Sequence, residues 1–179
     1  WYIKSCEKIK YMFPKAHAAA YVTNAFRIAW FKVHMPLAYY AAFFSIRGKD
    51  DFDSDCMIFG EEKVKNKMKE IDLLGNNATQ KDKTMYPILE LVLEMYERGF
   101  EFLPVDLYES EATKFKIQDG ALRPPLNSIP GLGTVAALGI AEARKEGKFM
   151  SIDDLKIRAK VGNSVTDVLK NYGCLKGMS

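Results

Sequence analysis

Residues 128–134 read Ser-Ile-Pro-Gly-Leu-Gly-Thr, and a helical pattern runs on from there to Gly147. Gly131 and Gly133 permit backbone angles that side chains forbid. Leu132, between them, is free to turn inward as an anchor. The chain then enters the helix with amide N–H groups that have no partner inside it and that carry partial positive charge. A phosphate is the natural occupant of such a place. Taken alone, a G-x-G before a helix is also what an ordinary tight turn looks like.

The pattern returns about 29 residues further on. Ser151 is a good N-cap, with Asp153 and Asp154 in the first turn of a short helix. A second hairpin follows at residues 160–163, poorer in glycine because Gly162 stands alone, and then a helix ending at Gly173. A repeated phosphate-binding turn fits this better than two unrelated turns. The pair has the spacing of a tandem helix-hairpin-helix, which holds a duplex by its backbone without reading bases. The residues that would do so are Gly131, Leu132, Gly133 and Thr134 in the first hairpin. Lys160, Gly162, Asn163 and Ser164 would serve in the second.

The elements that must position these hairpins are mainly helical. Residues 1–12 have helical spacing, closed by Phe13 and Pro14, and Pro14 is placed to start the next helix. Lys15 to His34 is a long alanine-rich helix on which His17, Tyr21 and Asn24 share a narrow sector, with Arg27 close by. Such a face suits phosphates and a base; it equally suits half-buried packing. Pro36 opens a helix to Ile46 that is apolar nearly all round and so expected to be buried. Residues 47–55 form a polar break whose four aspartates fail the calcium-loop pattern, so a solvated loop is expected. Helices over 56–74 and 80–98 follow, the second capped by Thr79 and bent or split at Pro87. Short strands are predicted over 100–107 and 113–117. A hairpin turn is predicted at residues 118–121, where Asp119-Gly120 supplies positive backbone angles, and this small sheet is expected to fix the hairpins against the helices.

Composition narrows the classes. With 179 residues and 48% hydrophobic residues, the chain has room for one good core or two small domains. No apolar run approaches the ~20 residues of a membrane span. Cys6, Cys56 and Cys174 are isolated and odd in number, so neither a zinc cluster nor a disulfide framework is expected, and a reducing, cytoplasmic setting fits. His17 and His34 lack metal-ligand spacing. The net charge of +3 hides two basic ends around an acidic middle, residues 48–112. Local basic surface matters more for nucleic acid than the total does. The opening Trp1-Tyr-Ile-Lys4 is neither a start nor a signal-peptide n-region, and the chain reads as a piece of something larger.

Several stretches resemble one family in order along the chain. Residues 11–22, Tyr-Met-Phe-Pro-Lys-Ala-His-Ala-Ala-Ala-Tyr-Val, resemble the fingers motif of the bacterial C-family replicative DNA polymerases, the DNA polymerase III alpha subunits, in the PolC form of Gram-positive bacteria. Residues 27–36, 97–100, 106–108, Pro124-Pro125 and 128–134 are similar to the same family. The resemblance implies that residues 1–99 are the C-terminal part of the fingers and that 100–179 are a duplex-DNA-binding domain with its tandem helix-hairpin-helix at 128–173. It implies that Lys15, His17 and Tyr21 contact an incoming dNTP, and that template–primer DNA and the remainder of the polymerase are partners. It implies Mg2+ in a palm that these residues do not include, no cofactor and no catalytic residue here, and so no polymerase activity from this chain alone. Three features depart from the family. No palm aspartates are present, and the glutamine-led peptide that would bind a sliding clamp has no match at residues 176–179. A Pro-containing segment, residues 123–127, replaces the usual helix before the first hairpin. Other readings are a stand-alone duplex-binding protein, a hairpin-class glycosylase using Asp153 or Asp154, and a helical scaffold.

Overall fold

The computed structural model describes residues 1–8 and 14–178. Helix α1 (Tyr2–Lys8) fits the predicted opening helix as far as Lys8, and the rest of that prediction, with Phe13, lies outside the described residues. Helix α2 (Lys15–His34) has its predicted bounds, with Pro14 at the N-cap. It buries none of its residues. Pro36 occupies the first turn of α3 (Pro36–Ile46). The expectation that α3 is buried all round needs correction. Only Tyr40 and Phe44, one turn apart, are enclosed, while Ile46 is 71% exposed. Leu37 and Ala41 pack against the core, while Ala38, Tyr39, Ala42, Phe43 and Ile46 line a groove beside α2.

The single helix predicted over 56–74 is two. Asp53 caps a short α4 (Ser54–Met57) by accepting from the Asp55 N–H at 2.9 Å. Gly60 then breaks the chain at φ 101° and leads α5 (Glu61–Leu74). That angle belongs to glycine, which is why the break falls there. Helix α6 (Gln80–Glu97) starts with a full capping box: the Thr79 N–H donates to Asp82 Oδ2 at 3.0 Å and the Asp82 N–H to Thr79 Oγ1 at 3.2 Å. Pro87 does not split it. Pro87 is exposed, so the carbonyl one turn back that loses its donor is left to water.

The strands predicted over 100–107 and 113–117 reduce to less. Phe102 makes one isolated bridge to Leu122, and among the described residues only β1 (Lys116–Gln118) pairs, antiparallel, with β2 (Ala121–Arg123). Pro104 has no N–H to continue a ladder. Asp106 then turns the chain by accepting from the N–H groups of Tyr108 and Glu109, both at 2.8 Å. The predicted tight turn is present: Asp119 and Gly120 have φ of 52° and 77°, as a type I′ hairpin requires.

The ribbon does fix the hairpin segment to the helices, because α3 lies against both strands. The rings of Phe44, Phe52, Phe102 and Phe115 cluster at centroid distances of 4.8 Å to 6.2 Å, so stretches on both sides of residue 99 share one aromatic centre. Polar ties cross the same boundary. The Phe115 N–H donates to Ser45 Oγ at 2.9 Å, and the buried Ser54 hydroxyl donates to Ser128 Oγ at 2.7 Å. The Arg123 guanidinium, nearly enclosed, donates to the Pro104 carbonyl at 2.7 Å and to Gln118 at 2.9 Å. The C-terminal region continues with α7 (Thr134–Ala143), α8 (Ile152–Ala159) and α9 (Asn163–Asn171).

Candidate nucleic-acid interface

The first hairpin is built on a turn from Ile129 to Leu132, closed by the Leu132 N–H donating to the Ile129 carbonyl at 3.0 Å. Pro130 and Gly131 hold its central positions, the placement a type II turn favours, and Gly131 has φ 87°. Leu132 is 3% exposed, the predicted anchor. Gly133 corrects the sequence reading. Its φ of −70° and ψ of 158° are open to any residue, so it relieves no backbone strain. A Cβ there would meet nothing within 4 Å. What Gly133 supplies is open space in front of α7. The first bond entering the helix ladder runs from the Ala137 N–H to the Gly133 carbonyl at 3.0 Å, so the amides of Thr134, Val135 and Ala136 precede it. No side chain caps this end, and the Thr134 hydroxyl accepts only a long bond, 3.4 Å, from Asn127.

The second hairpin repeats the first with a lysine at the left-handed position and a valine as the anchor. Lys160, Val161 and Gly162 stand 29 residues after Gly131, Leu132 and Gly133. Lys160 takes the left-handed conformation (φ 54°, ψ 44°), Val161 is buried, and Gly162 is an extended N-cap (φ −87°, ψ 177°). The left-handed residue is therefore the lysine and not the lone glycine. The sequence signal was weak because the position that usually asks for glycine holds an exposed cation instead. Gly162, like Gly133, has no neighbour where a Cβ would be, and α9 also lacks a side-chain cap. Asn163 and Ser164 are exposed at its start.

The structure brings the two hairpins together. A Cβ on Gly131 would stand 3.3 Å from Val168 Cγ2 of α9. Gly139, which sequence reasoning passed over, sets the packing of α7 on α8: a Cβ there would lie 2.6 Å from the Ala159 carbonyl oxygen. A glycine inside an otherwise good helix pattern was the available signal. Arg158 closes the back of the unit, donating to the Ala143 carbonyl at 2.5 Å and the Gly147 carbonyl at 3.1 Å. Ser151 caps α8 by accepting the Asp154 N–H at 3.1 Å. Asp154 in turn accepts the Met150 N–H at 2.9 Å; that bond, helped against burial by Arg158, holds its carboxyl below the usual range. Asp153 and Asp154 are thus helix-start residues.

The acidic break lies beside the first hairpin, since Lys49, Asp50, Asp51, Asp53 and Lys81 line one cleft with residues 127–133. Two of its aspartates have structural work. Asp51 accepts from the Thr84 hydroxyl at 2.7 Å, and Asp53 caps α4. Among the described residues no cluster of His, Cys, Asp and Glu could hold a metal ion. Burial pushes the thiols of Cys56 and Cys174 up to about 11.

Lys15, His17 and Tyr21 are all exposed on α2, away from the hairpin turns in sequence and in element. The rings of His17 and Tyr21 meet edge to face with centroids 4.5 Å apart. Among the described residues Tyr21 is 66% exposed and His17 is exposed with it. Arg27 and Trp30 continue the exposed surface along the helix.

Two such hairpins, each with an inward anchor and an open helix start, make a tandem helix-hairpin-helix unit, and the family description "Helix-hairpin-helix motif" matches residues 99–179. Over 178 residues, 99% of this chain, the sequence is 55% identical to the "DNA polymerase III PolC-type" of Bacillus subtilis (strain 168) and 54% identical to that of Clostridium perfringens (strain 13 / Type A). Oceanobacillus iheyensis has another such protein, also 54% identical. The chain spans 12% of the length of each of these relatives. The sequence belongs to the PolC-type DNA polymerase III family. No helix among the described residues is long and apolar enough to cross a membrane.

Proposed function

We propose that this chain is the part of a DNA-directed DNA polymerase that grips the template–primer duplex and presents the incoming dNTP. Residues 100–179 are the duplex-binding domain and residues 1–99 belong to the fingers. The observation that carries this reading is the 29-residue repeat of left-handed residue, buried anchor and uncapped helix start, in a sequence more than half identical to PolC-type polymerases.

At each hairpin the leading amides point their partial positive charge at one backbone phosphate. The side-chain-free Gly133 and Gly162 let the phosphate approach, and Lys160 adds a full charge beside the second. Contacts of this kind fix register and carry no base sequence. On α2, the Lys15 ammonium neutralises triphosphate charge, His17 donates to a phosphate oxygen, and Tyr21 packs on sugar or base. On this reading the two-metal chemistry of nucleotidyl transfer belongs to a palm outside these residues. The chain's own contribution is therefore position and charge. By itself it extends no primer, and it works in the cytoplasm at the replication fork together with the rest of the polymerase.

Amide-resolved NMR of the chain titrated with a short blunt duplex tests the reading. The expected shifts centre on residues 133–136 and 162–165. Shifts confined to α5 and α6, or none at saturating duplex, would refute it.

A further inference from the structure

Among the described residues, helix α2 is the long element with the least burial. It packs against α3 and buries no residue. One cluster at its C-terminal end ties it to α6. The Lys32 ammonium donates to Glu94 Oε2 at 2.6 Å. Glu94 Oε1 accepts from the Tyr40 hydroxyl at 2.9 Å, and that hydroxyl accepts from Arg98 at 3.0 Å. The other terminal nitrogen of Arg98 donates to the Lys32 carbonyl at 3.0 Å. The bonds form a closed ring that leaves Lys32 by its side chain and returns to its backbone.

The ring answers a defect written in the sequence. The Lys32 carbonyl belongs to the last turn of α2, and its helical donor would be the N–H of residue 36, which is proline. Arg98 supplies the missing donor and sets a positive charge at the negative end of the helix. Its fork is needed for this, because one guanidinium reaches both Tyr40 and Lys32. Tyr40 is fully buried, and burial first, with Glu94 adding to it against the pull of Arg98, pushes its phenol up to about 12, so it stays a neutral donor.

We propose that Arg98, Glu94 and Tyr40 are positioning residues: they set the direction of α2 and through it the place of Lys15, His17 and Tyr21. From residue 15 to residue 32 a helix runs about 25 Å. A tilt of about 10° at the ring therefore moves the far end by about 4 Å, more than a triphosphate contact tolerates. The nucleotide half of this inference rests on the fingers reading given above.

The test uses the full chain with its native cysteines replaced and spin labels at Ala19→Cys on α2 and Glu90→Cys on α6, both exposed positions. Pulsed dipolar spectroscopy reads the distance distribution, and a fluorescent dATP analogue reads triphosphate affinity. Arg98→Lys keeps the charge and loses the fork; Arg98→Ala loses both. The expected result is a narrow distribution in the parent, a broad one in both variants, an unchanged melting temperature in Arg98→Lys, and a triphosphate Kd raised about fivefold to tenfold. Unchanged distances in both variants overturn the proposal. Broadened distances with triphosphate binding intact in Arg98→Lys but lost in Lys15→Ala overturn the positioning role. Broadened distances with no triphosphate binding by any form, parent included, support the ring and refute the nucleotide reading instead.

Discussion

Gly139→Ala sets two known effects against each other. Gly139 lies inside α7, where alanine is the better helix former by about 1 kcal/mol. On propensity alone the substitution stabilises. The added Cβ, however, would stand 2.6 Å from the Ala159 carbonyl oxygen, closer than real Cβ atoms approach. The obstacle is backbone at the C-terminal end of α8, so no side chain swings away to relieve it. Overpacking of this kind costs about 1–3 kcal/mol. Being tight against backbone, the site belongs near the upper end, and the net effect is a loss of about 1–2 kcal/mol. For a chain of this size that is a melting temperature lower by about 2–8 °C. The displaced Ala159 leads directly into Lys160, Val161 and Gly162, so duplex binding falls more than stability does. Urea denaturation of both forms, beside Gly133→Ala as the control with no neighbour to meet, measures it. A Gly139→Ala chain more stable than the parent would show that α7 and α8 do not pack as closely as described.

Further outcomes follow from the same geometry. Ser54→Ala leaves the enclosed Ser128 hydroxyl without its 2.7 Å donor and is expected to cost about 1 kcal/mol in urea denaturation. Phe44→Ala empties the centre of the four-ring cluster and is expected to cost about 3–5 kcal/mol. Ser151→Ala removes the only side-chain cap of α8 and is expected to cost about 1 kcal/mol. Burial alone would raise the Glu94 carboxyl, but Lys32, Tyr40 and Arg98 outweigh it and hold the group below its ordinary 4.5. Its contribution is therefore full above that value and lost as pH falls through the depressed one. The α2–α6 distance distribution should broaden across that acid window and stay constant from pH 5 to 8.

What could be read beforehand was local in sequence. The type I′ turn at Asp119-Gly120, the caps at Thr79 and Ser151, and the Pro130-Gly131 turn each depend on residues a few positions apart, and each stands where the pattern put it. The over-read strands failed for a local reason given too little weight: Pro104 ends the ladder and the Asp106 side chain competes for backbone N–H groups. Gly60 was passed over because the apolar pattern continues on both sides of it. The left-handed Lys160 gave no signal, since nothing in a lysine announces positive φ. The ring that holds α2 was out of reach, because Lys32 and Glu94 meet only after α3 and α6 have packed. The exposure of His17 and Tyr21 likewise follows from what packs against α2, not from their spacing along it.

On the proposed reading, Gly133 and Gly162 open two helix starts to duplex phosphates. The most direct measurement is fluorescence anisotropy of the chain with labelled duplex across a salt series, beside the double variant Gly133→Val with Gly162→Val. Both glycines have ordinary backbone angles and free space at Cβ, so the variant is expected to fold and melt as the parent does. Each phosphate engaged contributes about −0.9 to the slope of log K against log salt. Sequence-independent duplex binding is expected, with a slope of about −2 or steeper, weakened at least about tenfold in the variant. Equal binding by parent and variant, with the same slope, would contradict it.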